Sequence, residues 1–95
     1  MIISQLSIAP LGSGLSVSKY VKKIVDLINK SDVKSETNAM ATVIETEDLD
    51  TLFKLVKEAH MTMVNSGAKR IITELKIDDR RDKNATIDGK IKAIQ

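Results

Sequence analysis

The sequence contains no cysteine and no tryptophan, and Tyr20 and Phe53 are its only aromatic residues. Without cysteine the chain cannot form a disulfide, use a thiol nucleophile or bind a metal through thiolates, and this composition fits a reducing compartment. His60 is the only histidine, which leaves too few ligands for a structural zinc site. Recognition of single-stranded RNA needs several exposed rings for base stacking, which two aromatics do not supply. We expect no metal and no cofactor.

Charge of either sign is not in excess, and long hydrophobic runs are missing. The 15 basic and 13 acidic residues give a net charge of +2, which indicates neither a nucleic-acid nor a membrane partner. No apolar run approaches the roughly 18 residues of a membrane span, and Met1–Gln5 does not resemble the start of a signal peptide. We therefore expect a cytoplasmic protein. The 95 residues, 42% of them hydrophobic, predict one domain over 1–95 with a small stability margin, which association would increase.

The first half of the chain alternates between strand and helix patterns. Alternating β-formers predict a strand over Ile2–Ala9, which Pro10 ends because proline cannot donate to a ladder. Ser16 or Ser18 can then cap a helix. Apolar residues recur at three- and four-residue steps and predict one buried helical stripe: Val17, Tyr20, Val21, Ile24, Leu27 and Ile28.

A hairpin and a second helix follow. We expect a short polar edge strand over Val33–Thr37, a tight turn at Asn38–Ala39 and a strand over Met40–Glu45. Thr46 is predicted to cap the second helix, and Gly67 to end it in a left-handed conformation. The predicted buried stripe of that helix is Leu49, Leu52, Phe53, Val56, Ala59, His60 and Met63.

The last part of the chain predicts a fourth strand and a tail helix. Alternation favours a strand over Arg70–Asp78, followed by a charged loop over Asp79–Asn84. Thr86 can cap a short helix that ends at Ile94, although Gly89 costs that helix about 1 kcal/mol relative to alanine.

The order of elements predicts an α+β, ferredoxin-like βαββαβ sandwich. It has a four-stranded antiparallel sheet with two helices on one face, because both crossovers are right-handed, plus a short C-terminal helix. We expect the other face to have no cover within the chain. It would carry Ile3, Gln5, Ser7, Val43 or Thr42, Ile72, Glu74 and Lys76. This mixture favours a covering partner sheet or ligand, while an ordinary solvated face is the alternative.

The motifs that could carry catalysis are incomplete. Gly12 and Gly14 follow a strand, but position 17 is valine, so the glycine-rich dinucleotide-binding fingerprint is incomplete. The loop that contains these glycines can still serve as a simple turn or contact an anion. His60 lies on an apolar stripe and is expected to be structural. The run Asp78–Lys83 favours ion pairing within or between subunits, or direct ligand contact, over catalysis. We expect the protein not to be an enzyme.

Four segments together resemble the small thiamine-binding protein family. They are Pro10-Leu11-Gly12, Ser16–Tyr20, Met40–Glu45 and Lys76–Lys83, and the resemblance extends from about Ile2 to Ile94. It implies a ferredoxin-like subunit that extends or stacks its sheet in dimers and tetramers. It also implies binding of thiamine or its hydroxymethylpyrimidine part without a catalysed reaction.

The chemistry of thiamine suggests which residues would bind it. The ligand has a cationic thiazolium and an aminopyrimidine, so a binder needs a few fixed polar groups, an apolar wall and a carboxylate. From their expected place on or beside the open face we predict ligand contacts from Gln5, Ser7, Thr37, Met40, Thr42, Glu74 and Asp78.

Two other functions stay open. The first is a structural or regulatory interaction protein whose open sheet face serves only oligomerisation, with Arg80 and Arg81 in intersubunit pairs. The second, a small hydrolase of the acylphosphatase type, is disfavoured because the loop Leu11–Leu15 contains no basic residue for a phosphate.

Overall fold

The computed structural model describes residues 1–12 and 17–95. In this part of the chain the elements are β1 (Ile2–Pro10), α1 (Val17–Lys30), β2 (Lys34–Thr37), β3 (Thr42–Thr46), α2 (Leu49–Asn65), β4 (Ile71–Asp79) and α3 (Ile87–Ala93). The element order is the predicted one. Gly14 and Ser16, which were considered for the first loop and the first helix cap, lie outside the described residues. None of the described helices is long and apolar enough to cross a membrane.

The four strands form one antiparallel sheet in the order β2-β3-β1-β4, which confirms the ferredoxin-like arrangement. β1 is central, and its ladder with β4 runs from Ile2 opposite Asp79 to Pro10 opposite Ile71. Its ladder with β3 is shorter and stops where Leu6 faces Thr42. β2 and β4 are therefore the two edges of the sheet, as was predicted for β2.

The first strand is one residue longer than predicted, because Pro10 belongs to it. Proline is excluded from a strand when both of its sides are paired. Here the partner strand β3 has already ended, so only β4 lies beside Pro10. The Leu11 N–H continues towards β4 by donating to the Arg70 carbonyl at 2.8 Å.

The hydrophobic core lies between the sheet and the two long helices. The helix α1 buries Tyr20, Ile24 and Ile28, at the spacing of one helical face, but leaves Val17 and Val21 largely exposed. From the sheet, Leu6, Ile8 and Ile44 reach the same cluster. The predicted buried stripe of α1 is therefore confirmed at Tyr20, Ile24 and Ile28 but not at Val17 and Val21.

The buried face of α2 is rotated from the predicted one. It consists of Leu52, Leu55, Ala59 and Met63. Leu55 was missed by the sequence analysis, and Phe53, which was expected to be buried, is 50% exposed. The helix packs against α1 as well as against the sheet, so its buried face turns towards both.

The start of α2 corrects a second prediction. Thr46 does not cap the helix; it is the last residue of β3 and pairs with Ile2. Asp48 is the N-cap, and its Oδ1 accepts a hydrogen bond from the Thr51 backbone N–H at 2.7 Å. That bond holds the pKa of Asp48 below its ordinary value. At the other end Gly67 has a φ of 92°, the left-handed conformation that was predicted for it.

The C-terminal helix α3 shows that the second sheet face is not bare. Thr86 caps it as predicted, accepting from the Gly89 N–H at 3.0 Å. Its first residue, Ile87, is only 3% exposed, and the Ile87 N–H donates to Glu45 Oε1 on the sheet at 2.9 Å. The expectation of no cover within the chain is therefore wrong at one end of this face. A helical pattern in the sequence did not reveal where α3 docks.

Candidate functional site

The sheet face opposite α1 and α2, here called the open face, is defined by the strand register. Strand residues alternate between faces, and Leu6, Ile8 and Ile44 mark the helix-covered side. The open face therefore carries Ile3, Gln5, Ser7, Ala9, Lys34, Glu36, Val43, Glu45, Ile72, Glu74, Lys76 and Asp78. The sequence left open whether Val43 or Thr42 lies on this face. Thr42 pairs with Leu6 of the helix-covered side, so Val43 is the open-face residue.

A shallow cavity of about 220 Å³ lies on the open face beside α3. Gln5 is at its centre, between Val43 and Lys76 on the neighbouring strands. Asp78 and Lys90 of α3 form one wall. The cavity thus combines an amide, an apolar surface and a carboxylate, which are groups of the kind that hold a small polar ligand.

One row of open-face residues lies directly under α3. It crosses the four strands in register, and we call it the end row: Lys34, Glu45, Ile3 and Asp78. Asp88 forms an ion pair with Lys34, and the Lys90 Nζ lies 2.6 Å from Asp78 Oδ2. Ile3, between them, is 7% exposed although it faces away from the main core. The row and α3 therefore match each other in charge and in apolar surface.

The ion pairs under α3 shift the ionisation of their members. The Lys90 ammonium, which is hydrogen-bonded to Asp78, lowers the pKa of that carboxyl, and Arg80 and Lys76 act in the same direction. The hydrogen bond to Asp88 raises the pKa of Lys34. All these groups are substantially exposed, so each pair on its own stabilises the docking of α3 only weakly.

Four of the predicted ligand-contacting residues lie on the open face: Gln5, Ser7, Glu74 and Asp78. Ser7 is opposite Glu74, and Gln5 is opposite Lys76, so these residues line adjacent positions of β1 and β4. They form a continuous polar strip that leads from the middle of the sheet to Asp78.

The other three predicted residues lie elsewhere, which corrects their expected placement. Thr37 and Thr42 pair across β2 and β3 on the helix-covered side, with their hydroxyl oxygens 3.0 Å apart. Met40 is in the connecting turn and is 85% exposed. The turn is stabilised by the Asn38 side chain, whose Oδ1 accepts from the Met40 and Ala41 backbone N–H groups. A small cavity of about 110 Å³ between this turn and α1 is lined by all three residues and also by Ser7 of the open-face strip.

The charged run Asp78–Lys83, which begins at the end of β4, is largely neutralised within the chain. The Arg80 guanidinium donates two hydrogen bonds to the Asp82 carboxylate, at 2.9 and 2.6 Å. The Arg81 guanidinium donates two to Asp79 Oδ2, at 2.8 and 3.1 Å. The contact between Arg80 and Asp82 raises the pKa of the guanidinium and lowers that of the carboxyl. Of the roles considered for this run, the structure shows pairing within the subunit.

His60 links two elements of the subunit. Its Nδ1 lies 2.7 Å from the Thr73 hydroxyl, so a hydrogen bond ties α2 to β4. This matches the structural role expected for it. In the described ranges, no group of three or more histidine, cysteine or acidic side chains is arranged to hold a metal ion.

A larger cleft of about 510 Å³ opens between α2 and the β2 edge, and the sequence analysis did not find it. Its walls include Lys54, Glu58 and Thr51 of α2 and the end of β3. Thr46 borders the cleft, and in residues 1–12 and 17–95 its buried hydroxyl has no hydrogen-bond partner. The cleft contains none of the predicted ligand-contacting residues, and the segments that form it are too far apart in sequence to suggest a site.

A family model described as thiamine-binding protein matches residues 4–95 of this chain. The chain belongs to the thiamine-binding protein family. The resemblance read from the four sequence segments is thereby confirmed.

Relatives and solved structures agree with this membership. A UPF0045 protein of Methanocaldococcus jannaschii is 53% identical over 93 residues, covering 98% of this chain and 91% of the relative. One from Methanothermobacter thermautotrophicus is 40% identical over 96 residues, covering 100% and 97%. A crystal structure of the hypothetical M. jannaschii protein superposes with a TM-score of 0.89, covering 98% of this chain and 94% of that one.

A more distant structure, from Thermotoga maritima, shares the fold. It has a TM-score of 0.83 at 19% identity and covers 99% of this chain and 98% of its own. That protein is described, provisionally, as a thiamine biosynthesis or salvage protein. At this identity the similarity shows the fold alone.

Proposed function

We propose that the protein binds thiamine or its hydroxymethylpyrimidine moiety, without catalysing a reaction, as a homo-oligomer. Membership of the thiamine-binding protein family is the observation that carries this proposal. The T. maritima neighbour, which shares the fold at 19% identity, is itself described, provisionally, as a thiamine biosynthesis or salvage protein. The proposed ligand is a small cation with hydrogen-bonding groups, and the open face offers partners for each part of it.

The polar strip on the open face supports this choice of ligand site. Gln5 presents both an amide donor and an acceptor, which suits an aminopyrimidine ring. Glu74 and Asp78 supply negative charge for a thiazolium, while Val43 and Ile72 supply apolar surface. Because Ile72 is 41% exposed, a ligand or partner that covers it would also remove apolar area from water.

Titration calorimetry with thiamine tests the proposal. We expect saturable binding, and a Gln5→Ala variant that binds about fivefold more weakly, since a net hydrogen bond contributes about 1 kcal/mol. Glu58→Gln, in the larger cleft, is the matched control and should bind like the wild type. No binding up to millimolar thiamine by folded protein would remove the proposal. Weakening by Glu58→Gln but not by Gln5→Ala would instead move the site to the cleft.

The exposed edge strand supports the proposed oligomer. β4 is nine residues long and has no partner on its outer side among the described residues. Ile77 of this strand is 38% exposed, and Phe53 of α2, the helix that packs against β4, is 50% exposed. A long unpaired edge next to apolar side chains is suited to pairing with another copy of the chain. Sedimentation velocity should therefore show a dimer or tetramer, and the Ile77→Lys variant should dissociate more readily. A monomeric wild type would contradict the proposed oligomer.

The proposal also includes the absence of an enzymatic activity and a cytoplasmic location. The described residues around the open-face cavity contain no histidine, and its one carboxylate, Asp78, is held by Lys90 rather than poised as a base. The lack of cysteine in the chain is compatible with a reducing compartment. Incubation of thiamine with the protein should leave it chemically unchanged by mass spectrometry, and cell fractionation tests the location.

The alternative is an interaction protein whose open face serves only oligomerisation. The exposed Ile72 on that face is the observation that favours it. It predicts that Ile72→Lys disrupts assembly, while thiamine has no effect on any variant. In this alternative Arg80 and Arg81 also contribute intersubunit contacts, so unchanged sedimentation of an Arg80→Ala, Arg81→Ala variant would remove that role.

A further inference from the structure

The contacts of α3 with the end row resemble those a cationic ligand would make. α3 brings three chemical features to this row: the ammonium of Lys90 on Asp78, the backbone N–H of Ile87 on Glu45, and the apolar side chain of Ile87, which is buried. A heteroaromatic cation with an amino group carries the same three features.

We infer that the end row is the cation-binding part of the thiamine site, and that α3 covers it in the ligand-free protein as an internal competitor. This rests on the proposed function. It assigns ligand contacts to Glu45 and Ile3 in addition to Asp78. It also makes the docking of α3 a control on affinity.

The size of the open cavity supports displacement of α3. With α3 in place the cavity measures about 220 Å³, below the roughly 300–1,000 Å³ of usual small-molecule sites. Lys90 forms part of its wall, so undocking α3 would enlarge it and expose the carboxylates of Glu45 and Asp78 together.

The weak docking of α3 on the sheet also supports its displacement by the ligand. α3 has only seven residues, and Ile87 is its only buried side chain. Its other contacts with the end row are one hydrogen bond, from the Ile87 N–H to Glu45, and ion pairs between exposed groups, in which Lys90 and Asp78 are 45% and 47% exposed. Such an element is expected to open locally without unfolding of the sheet. A ligand that binds only the open form then has its affinity reduced by the fraction of open molecules.

The experiment compares thiamine binding in the wild type and in an undocked variant, Ile87→Ala with Lys90→Ala. If about one molecule in ten is open, the variant should bind roughly tenfold more tightly. Lys92→Ala, an exposed lysine on the same helix, is the matched control and should bind like the wild type. Circular dichroism verifies that the sheet is retained, and the milder Lys90→Gln replaces the double variant if it is not.

Hydrogen exchange gives a second measurement on the wild type. Thiamine should accelerate exchange of the α3 amides from Lys90 onward and slow exchange at Gln5 and Val43. Equal or weaker binding by the undocked variant, or unchanged α3 exchange at saturating thiamine, would overturn the inference while leaving the proposed function intact. Absence of thiamine binding in every variant would overturn both.

Discussion

The two buried threonines of β3 give a sharp test of the packing described above. Thr42 and Thr46 lie on the same strand and the same sheet face, and they are 6% and 2% exposed. They differ in their hydrogen bonds: the Thr42 hydroxyl lies 3.0 Å from that of Thr37, whereas the Thr46 hydroxyl has no partner among the described residues. Replacement of each by valine exchanges a hydroxyl for a methyl group of similar size.

We expect Thr46→Val to stabilise the protein by about 1–2 kcal/mol. A buried hydroxyl without a partner costs about 1–3 kcal/mol, and the added methyl group contributes a further fraction of a kcal/mol. Thr42→Val should be close to neutral, because the methyl gain of about 0.8 kcal/mol offsets a hydrogen bond worth about 1 kcal/mol. The difference between the two variants cancels the methyl contribution and isolates that of the hydroxyl.

The assay is thermal unfolding at one fixed protein concentration, since association makes the midpoint depend on concentration. For a chain of this size 1 kcal/mol shifts Tm by about 4–8 °C, so the expected 1–2 kcal/mol of Thr46→Val should raise it by about 4–16 °C. If Thr46→Val were destabilising, or equal to Thr42→Val, the Thr46 hydroxyl would have a buried partner and the reasoning would be refuted.

Three further outcomes are expected. Ile28→Ala should destabilise by about 2–5 kcal/mol in denaturant unfolding, because Ile28 is 0% exposed, whereas Ile94→Ala, at 86% exposed, should stay within about 0.5 kcal/mol. Gly67→Ala should cost about 1–2 kcal/mol by thermal unfolding, owing to its φ of 92° and not to a clash, since apart from its chain neighbours no atom of the described residues lies within 4 Å of the added Cβ. The lowered pKa of Asp78 means that its bond with Lys90 is intact above the ordinary value of 3.8 and is lost as pH falls through the lower folded value. The protection of the α3 amides, measured relative to their intrinsic exchange rates at each pH, should fall there, and an α3 whose protection does not change with acid would contradict this.

Periodicity in the sequence was sufficient to predict the element order and the sheet. Strands that alternate and helices with a three- and four-residue repeat can be recognised locally. Gly67 was predicted correctly for the same reason, because the left-handed stop is a local requirement. The ferredoxin-like topology then followed from general rules of connection.

The errors arose where distant contacts decide the outcome. Pro10 stays in β1 because β3 ends early beside it, and Thr46 is in β3 because Ile2 pairs with it, so the cap moves to Asp48. The buried face of α2 includes Leu55 because α1 packs there. Each depends on a segment far away in the chain.

The candidate site was predicted in part for the same reason. Strand alternation placed Gln5, Ser7 and Glu74 on the open face. It could not place Thr42 without the register, or show that α3 docks on the end row. Docking of a short helix depends on a few exposed charges and one buried side chain, and these leave no periodic signal.

The ladder between β1 and β4 has a consequence for synthesis on the ribosome. It joins the first strand to the fourth, with Ile2 opposite Asp79, so its full length closes only after residue 79 has emerged. Until then β1 has only the short pairing with β3, from Ile2 to Leu6. Nascent chains stalled before β4 should be sensitive to protease and prone to aggregate, and release of the last strand should complete folding in a single late step.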